Sequence, residues 1–338
     1  MVATTIISFD VPHKWLFCPG ESSTTQTDRG ERVERPAAKP LMLLLAGAIL
    51  LVASAWPSGP TANASQNSLV YLGAWVGERV NIPGDLDAFE QAVGKRMSIV
   101  HRYSGNPPFE NGEHFNREWA DEVRTRGGIP MLSWEPRLDA EIGLEQAASG
   151  SRDEYIRLWA RELRDWGHPL FFRMMWEQNA TWFPWGATGE PGITHYKTLW
   201  RRIVGIFREE GANRVTFVWS PHVSGYGASP VMDTYPGDEY VDWVALDGYP
   251  YKSGRGGFYD TFKPDYDIMV SQVDKPLMIA ETSLESGSDQ TKAEMLSDIL
   301  GNQLPNSFPR VKALVWFDEM DCDGINYSIL TAQGPLSR

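Results

Sequence analysis

Short apolar runs recur along the chain from Val70 onward, and between them the spacing of apolar residues changes. Eight of these runs predict strands: Val70 to Trp75, Met97 to Arg102, Ile129 to Trp134, Leu170 to Met174, Val215 to Trp219, Trp243 to Leu246, Leu277 to Ala280 and Val311 to Phe317. Each run is close to continuously apolar, as in strands covered on both faces of a parallel sheet. The intervening segments show helical periodicity. Asp153 to Trp166 carries Ile156, Trp159, Ala160, Leu163 and Trp166 on one stripe and stops at Gly167, a residue suited to the left-handed turn that ends a helix. Tyr196 to Phe207 places Leu199, Trp200, Ile203, Val204 and Phe207 on another stripe and ends before Gly211, and Lys292 to Leu300 opens after the polar stretch Ser288 to Thr291. Eight strands alternating with helices predict a single (β/α)8 TIM barrel, an α/β fold whose active sites gather at the C-terminal strand ends. An open doubly wound sheet would want a glycine-rich turn after its first strand. The Gly73 to Gly77 region contains no G-x-G-x-x-G.

Two of the predicted strands end at a glutamate. Phe171 to Gly186 reads F-F-R-M-M-W-E-Q-N-A-T-W-F-P-W-G, which sets Glu177 just past the fourth strand among Arg173, Trp176, Asn179, Trp182 and Trp185. A carboxyl among indole rings is poorly solvated and holds its proton tightly, which suits a general acid. A buried structural acid beside core tryptophans is the alternative. Lys275 to Ser283 reads K-P-L-M-I-A-E-T-S and delivers Glu281 at the end of the seventh strand. Hydrolysis of a glycosidic bond needs two carboxyl groups, one to protonate the leaving oxygen and one to attack the anomeric carbon or activate water. Aromatic faces suit sugar rings, whose C–H groups form apolar patches.

The length of 338 residues leaves room for one barrel after the N-terminal segment is set aside. Residues 1–64 are expected to be a disordered stretch followed by a signal peptide or signal anchor. The apolar run Leu41 to Trp56 follows Arg32, Arg35 and Lys39 and precedes Ala62-Asn63-Ala64, an A-x-A cleavage pattern. That run is short for a membrane span, so a secreted or extracytoplasmic protein is expected, with a single-pass anchor as the alternative. Residues 65–338 form the expected catalytic domain. Net charge is −13, and the N-terminal segment is balanced. Acid therefore predominates in the barrel, which argues against nucleic-acid binding. Of the two cysteines, Cys18 precedes the cleavage site and Cys322 would stand alone, so no internal disulfide is expected. A monomer is expected.

Other chemistries lack their motifs. The chain has no C-x-x-C, no H-E-x-x-H, no Walker loop and no G-x-S-x-G elbow, so neither a metal nor any other cofactor is expected. Asp321-Cys322-Asp323-Gly324 lacks the spaced ligands of a calcium loop and is taken as a tight turn. His168 and His195 lie at helix margins, whereas His101 at the end of the second strand and His222 after the fifth can reach the barrel mouth.

The pairing of R-M-M-W-E-Q-N-A-T-W-F-P-W-G with K-P-L-M-I-A-E-T-S resembles glycoside hydrolase family 26, the β-mannanase type of barrel glycosidase with catalytic glutamates on strands four and seven. The likeness extends to V-W-S-P at Val218 to Pro221, Y-V-D-W-V-A-L-D-G-Y at Tyr240 to Tyr249, and V-W-F-D at Val315 to Asp318. The resemblance implies an exported retaining β-glycoside hydrolase acting on a polysaccharide, β-1,4-mannan first among candidates. It also implies that Glu177 is the acid/base and Glu281 the nucleophile, with Tyr249 bonded to the nucleophile. Arg173, Trp176, Asn179, Trp182, Trp185, His101, Trp219, His222 and Trp316 are the expected substrate-binding residues. Two departures stand out: the family's His before the acid/base is Trp176 here, and its Asn-Gly is Asn179-Ala180. Indole donates but cannot accept a hydrogen bond, so the first departure bears on sugar choice. A β-glucanase with the same two glutamates, or an inactive polysaccharide-binding barrel, are the alternatives.

Overall fold

A computed structural model describes residues 69–77, 84–104, 114–139, 141–225, 227–251, 256–284, 289–318 and 327–328. The expected leader with its run Leu41 to Trp56, both cysteines and the Asp321 to Gly324 turn lie outside the described residues.

Eight parallel strands close into a barrel in sequence order: β1 (Tyr71–Trp75), β2 (Ile99–Ser104), β3 (Ile129–Trp134), β4 (Leu170–Met174), β5 (Val215–Trp219), β6 (Trp243–Asp247), β7 (Leu277–Thr282) and β8 (Val311–Phe317). The fold is the expected (β/α)8 TIM barrel. The described helices are α1 (Gly84–Val93), α2 (Arg117–Thr125), α3 (Leu144–Ala148), α4 (Asp153–Trp166), α5 (Gly192–Glu209), α6 (Phe258–Gln272), α7 (Asp289–Asp298) and α8 (Leu304–Ser307). A π-helical turn, Ile299–Gln303, joins the last two.

The strand ends moved in ways that matter for the site. The second strand runs to Ser104, two residues past the expected Arg102, and the sixth includes Asp247. The seventh continues to Thr282, so Glu281 lies within it. The α4 helix has the expected bounds and stops at Gly167, where φ is 70°.

Successive side chains of a strand face opposite sides. One set fills the barrel interior: Ile99, Met131, Phe171, Val218, Ala245, Met278, Ala280, Ala313 and Val315. Space there is tight, for a Cβ on Gly73 would lie 2.7 Å from that of Ile99. The opposite set packs with the helices, where Trp159, Trp200 and Phe207 have no exposed surface. A two-faced apolar barrel thus leaves its polar positions to the C-terminal ends of the strands.

Candidate active site

The polar residues at those ends form one connected group. Arg173, inward on β4 and fully buried, lies at its centre. Its Nη1 donates to Ser133 Oγ at 2.9 Å and to Glu281 Oε2 at 3.0 Å, and its Nη2 donates to Asp247 Oδ2 at 2.5 Å. One guanidinium thus serves two carboxylates, a task suited to its planar fork. Ser220 donates to Asp247, 2.9 Å from each carboxylate oxygen.

Glu281 reaches the mouth through an irregularity in pairing. Leu246 pairs with Ile279 and Asp247 with Glu281, so Ala280 is an extra residue that shifts the register. Ala280 faces the interior, and the bulge lets its neighbour Glu281 meet Arg173 as well. Tyr103 donates to Glu281 Oε2 at 2.6 Å, and Tyr249 donates to Oε1. Burial and the charge of Glu281 push both phenols well above their ordinary range, so both hydroxyls remain donors.

Glu177 sits in a different setting. It follows β4 in a loop where Met175 and Glu177 adopt left-handed φ values of 46° and 52°. That conformation disfavours side-chain-bearing residues and is held here by the Glu177 N–H bonded to Ser220 O at 2.7 Å. Among the described residues its carboxyl accepts one side-chain hydrogen bond, from Trp182 Nε1 to Oε2 at 2.6 Å. Burial first, then the charges of Glu281 and Asp247, push Glu177 well above the usual carboxyl range, while Arg173 and Trp182 pull the other way. Burial also raises Asp247 to about 7 against the pull of Arg173. Among the described residues the two glutamates therefore differ in their surroundings, one ringed by donors and one buried with a single donor.

Several expected contact residues have other positions. Trp219 follows the inward Val218, so alternation turns it to the helix layer, where it is fully buried against Tyr235. Asn179 is also fully buried, with Nδ2 donating to the carbonyls of His222 and Ser229 and Oδ1 accepting from the His222 N–H. It ties the loops after β4 and β5 together, and its full burial keeps it from the open mouth. His101, 1% exposed, lies one layer beneath Tyr103 and is bonded to Ser133 Oγ at 2.7 Å. Burial and the charge of Arg173 lower its pKa, so it is neutral. Trp316 lies between Val315 and Phe317, and the ring that faces Tyr249 from β8 is Phe317, at 6.0 Å. Trp185 is buried, stacks on Phe183 at 4.6 Å and donates to Trp176 O, bracing the loop.

The remaining expectations converge on the mouth. Trp176 packs against Tyr103 and sits under the Arg173 guanidinium at 5.4 Å. Half-buried Trp182 meets His222 edge to face at 5.1 Å. The Nδ1 of His222 faces the Val223 carbonyl, an acceptor, so Nδ1 carries a proton. Sequence reasoning missed Tyr103, Asp247, Ser133 and Ser220. Alternation from Ile99 through His101 points to Tyr103, and a lone Asp closing the apolar run Trp243 to Leu246 points to Asp247.

Comparison with known proteins agrees with this geometry. Residues 149–283, which span both glutamates, match the model of glycosyl hydrolase family 26. Endoglucanase H of Acetivibrio thermocellus is 30% identical over 264 residues, 75% of this chain and 28% of that protein. A mannan endo-1,4-beta-mannosidase of Bacillus subtilis is 26% identical over 246 residues, 71% of this chain and 60% of that protein. The chain thus spans less than two thirds of either relative. The solved structure of Bacillus subtilis mannanase man26 shares the fold with a TM-score of 0.59 at 21% identity, covering 79% of this chain and 85% of that one. With its barrel, its two strand-end glutamates and these matches, the chain belongs to glycosyl hydrolase family 26.

Proposed function

We propose that the protein is a retaining hydrolase of β-linked polysaccharide, with Glu177 as acid/base, Glu281 as nucleophile and β-1,4-mannan as substrate. One observation carries this reading. The two carboxyl groups are close enough to influence each other's charge yet lie in opposite settings, Glu281 among three donors and Glu177 buried with one. A carboxyl that burial keeps protonated, set beside one ringed by donors, is what acid and nucleophile require. In the first step Glu281 attacks the anomeric carbon, and the leaving oxygen takes the proton of Glu177. In the second, Glu177 takes a proton from water as that water displaces Glu281. Trp182, paired with His222, lies beside Glu177, and Trp176 packs against Arg173.

The mannosidase relative supports mannan. A second reading, β-glucan, is favoured by the endoglucanase relative, which matches at higher identity and over more of the chain. Trp176, in place of the family's His, weakens the inference to mannan without itself selecting glucan. The two sugars differ at the 2-hydroxyl, axial in mannose and equatorial in glucose, where transition-state hydrogen bonds are made. Action outside the cytoplasm belongs to the same proposal and is supported by the apolar run Leu41 to Trp56.

The test is turnover by purified protein on mannan, mixed-linkage glucan, xylan and cellulose, with Glu281→Gln as control. Mannan turnover lost in the variant supports the first reading, and glucan turnover lost in the variant supports the second. No hydrolysis of any β-glycan would overturn both in favour of a binding barrel.

A further inference from the structure

The hydrogen bonds around Glu281 divide its two oxygens unequally. Among the described residues Oε2 accepts two, from Tyr103 at 2.6 Å and from Arg173 at 3.0 Å, whereas Oε1 accepts one, from Tyr249. An ionised carboxylate has about two lone-pair sites on each oxygen. Both sites of Oε2 are therefore occupied, and Oε1 keeps one with which to form a bond.

Resting on the reading of Glu281 as nucleophile, we propose that Tyr103 is a positioning residue that selects the attacking atom. With Arg173 it holds Oε2 as the spectator, and Oε1 attacks the anomeric carbon. Tyr103 is built to hold a fixed position. It stands on β2, is 5% exposed, and its ring is packed by Trp75 at 5.1 Å, His101 at 4.5 Å and Trp176 at 5.2 Å. Tyr249, in contrast, lies beyond the end of β6, on the loop that follows it.

The roles of the two oxygens follow through both steps. A lone pair of Oε1 forms the bond to the anomeric carbon. The bond from that carbon to the leaving oxygen breaks, and the leaving oxygen takes its electron pair and the Glu177 proton. In the resulting ester Oε2 is the carbonyl oxygen and has lost most of its charge. Arg173 is not stranded, because Asp247 remains 2.5 Å from its Nη2. In the second step water attacks the anomeric carbon, and the C–Oε1 bond breaks with its electron pair returning to the carboxylate. Charge then comes back to Oε2, and the Tyr103 hydrogen bond strengthens as it does so. Tyr103 thus assists departure of Glu281 more than its attack.

The experiment compares wild type with Tyr103→Phe on dinitrophenyl β-cellobioside and β-mannobioside, whose leaving group departs without the Glu177 proton. Loss of a hydrogen bond to a charged group predicts a fall in kcat of about tenfold or more. KM is expected to fall with it, so that kcat/KM changes by less than about threefold, and a burst of dinitrophenol marks the accumulated intermediate. A second measurement does not depend on the variant folding. Wild type trapped with the matching 2-deoxy-2-fluoro glycoside should, in a crystal structure, carry the sugar on the oxygen facing Tyr249, with the other oxygen hydrogen-bonded to Tyr103. An unchanged kcat, equal falls in kcat and kcat/KM, or a sugar bonded to the oxygen facing Tyr103 would each overturn the proposal while leaving the nucleophile in place. Trapped wild type with Glu281 unlabelled would overturn the nucleophile reading itself, and this proposal with it.

Discussion

Replacing Arg173 with Met tests whether the buried charge network, beyond simple packing, organises the barrel mouth. Met preserves much of the apolar stem and removes the guanidinium. Asp247, fully buried, then loses its 2.5 Å partner, and Glu281 loses one of its three donors. Removing one member of a buried ion pair typically costs about 3–5 kcal/mol, because the other charge is left uncompensated. For a barrel of this size, that corresponds to a fall in melting temperature of roughly 5–10 °C near neutral pH. The pH dependence separates charge from packing. Asp247 has a folded-state pKa of about 7, above its ordinary value. Between those values the folded state binds more protons than the unfolded, so this group's contribution is full at low pH and lost as pH rises through about 7. Without Arg173, which pulls it down, the folded value climbs further, and the variant goes on losing stability above pH 7 where wild type has stopped. The stability gap should therefore widen from pH 5 to pH 9 in urea titrations. A gap that stays constant over that range would refute the reasoning and reduce the effect to a packing loss. Arg173→Lys should not restore activity, since a point charge cannot serve Ser133, Glu281 and Asp247 at once.

Three further outcomes follow from the same contacts. The alkaline limb of kcat/KM should report Glu177. Asp247→Asn removes a charge that favours its proton and should move that limb to lower pH, while Trp182→Phe removes a donor to its charged form and should move it to higher pH. The measurement is a pH–rate profile on a natural substrate, whose leaving oxygen needs the proton. Trp176→His should change the ratio of mannan to glucan turnover more than it changes the melting temperature. Asn179→Ala strips hydrogen bonds from the His222 N–H and two carbonyls and should cost about 2–4 kcal/mol in chemical denaturation.

Much of this arrangement was legible in the sequence, and the misses have physical causes. Continuous apolar runs located all eight strands, and Gly167 fixed the end of α4. Glu177 and Glu281 stood out because a carboxyl at the end of such a run has few structural reasons to be there. The misses come from facing direction and from contacts distant in sequence. Trp219 and Trp316 looked like sugar platforms by residue type, but strand alternation turns Trp219 outward and brings Phe317, in place of Trp316, to Tyr249. Tyr103 fell outside the expected second strand by one residue, which hid its partnership with Glu281, 178 residues away. Asn179 was read as a sugar contact from its place beside Glu177, but its partners lie 43 and 50 residues on. The bulge at Ala280 depends on pairing with β6 and has no local signature.

The central claim is double displacement by Glu177 and Glu281, and the anomeric configuration of the first product tests it most directly. Proton NMR during hydrolysis of a β-linked oligosaccharide should show the β-anomer of the new reducing end first, with the α-anomer growing in only by mutarotation. Initial release of the α-anomer would contradict the account, because inversion requires Glu281 to activate a water molecule instead of bonding to the sugar.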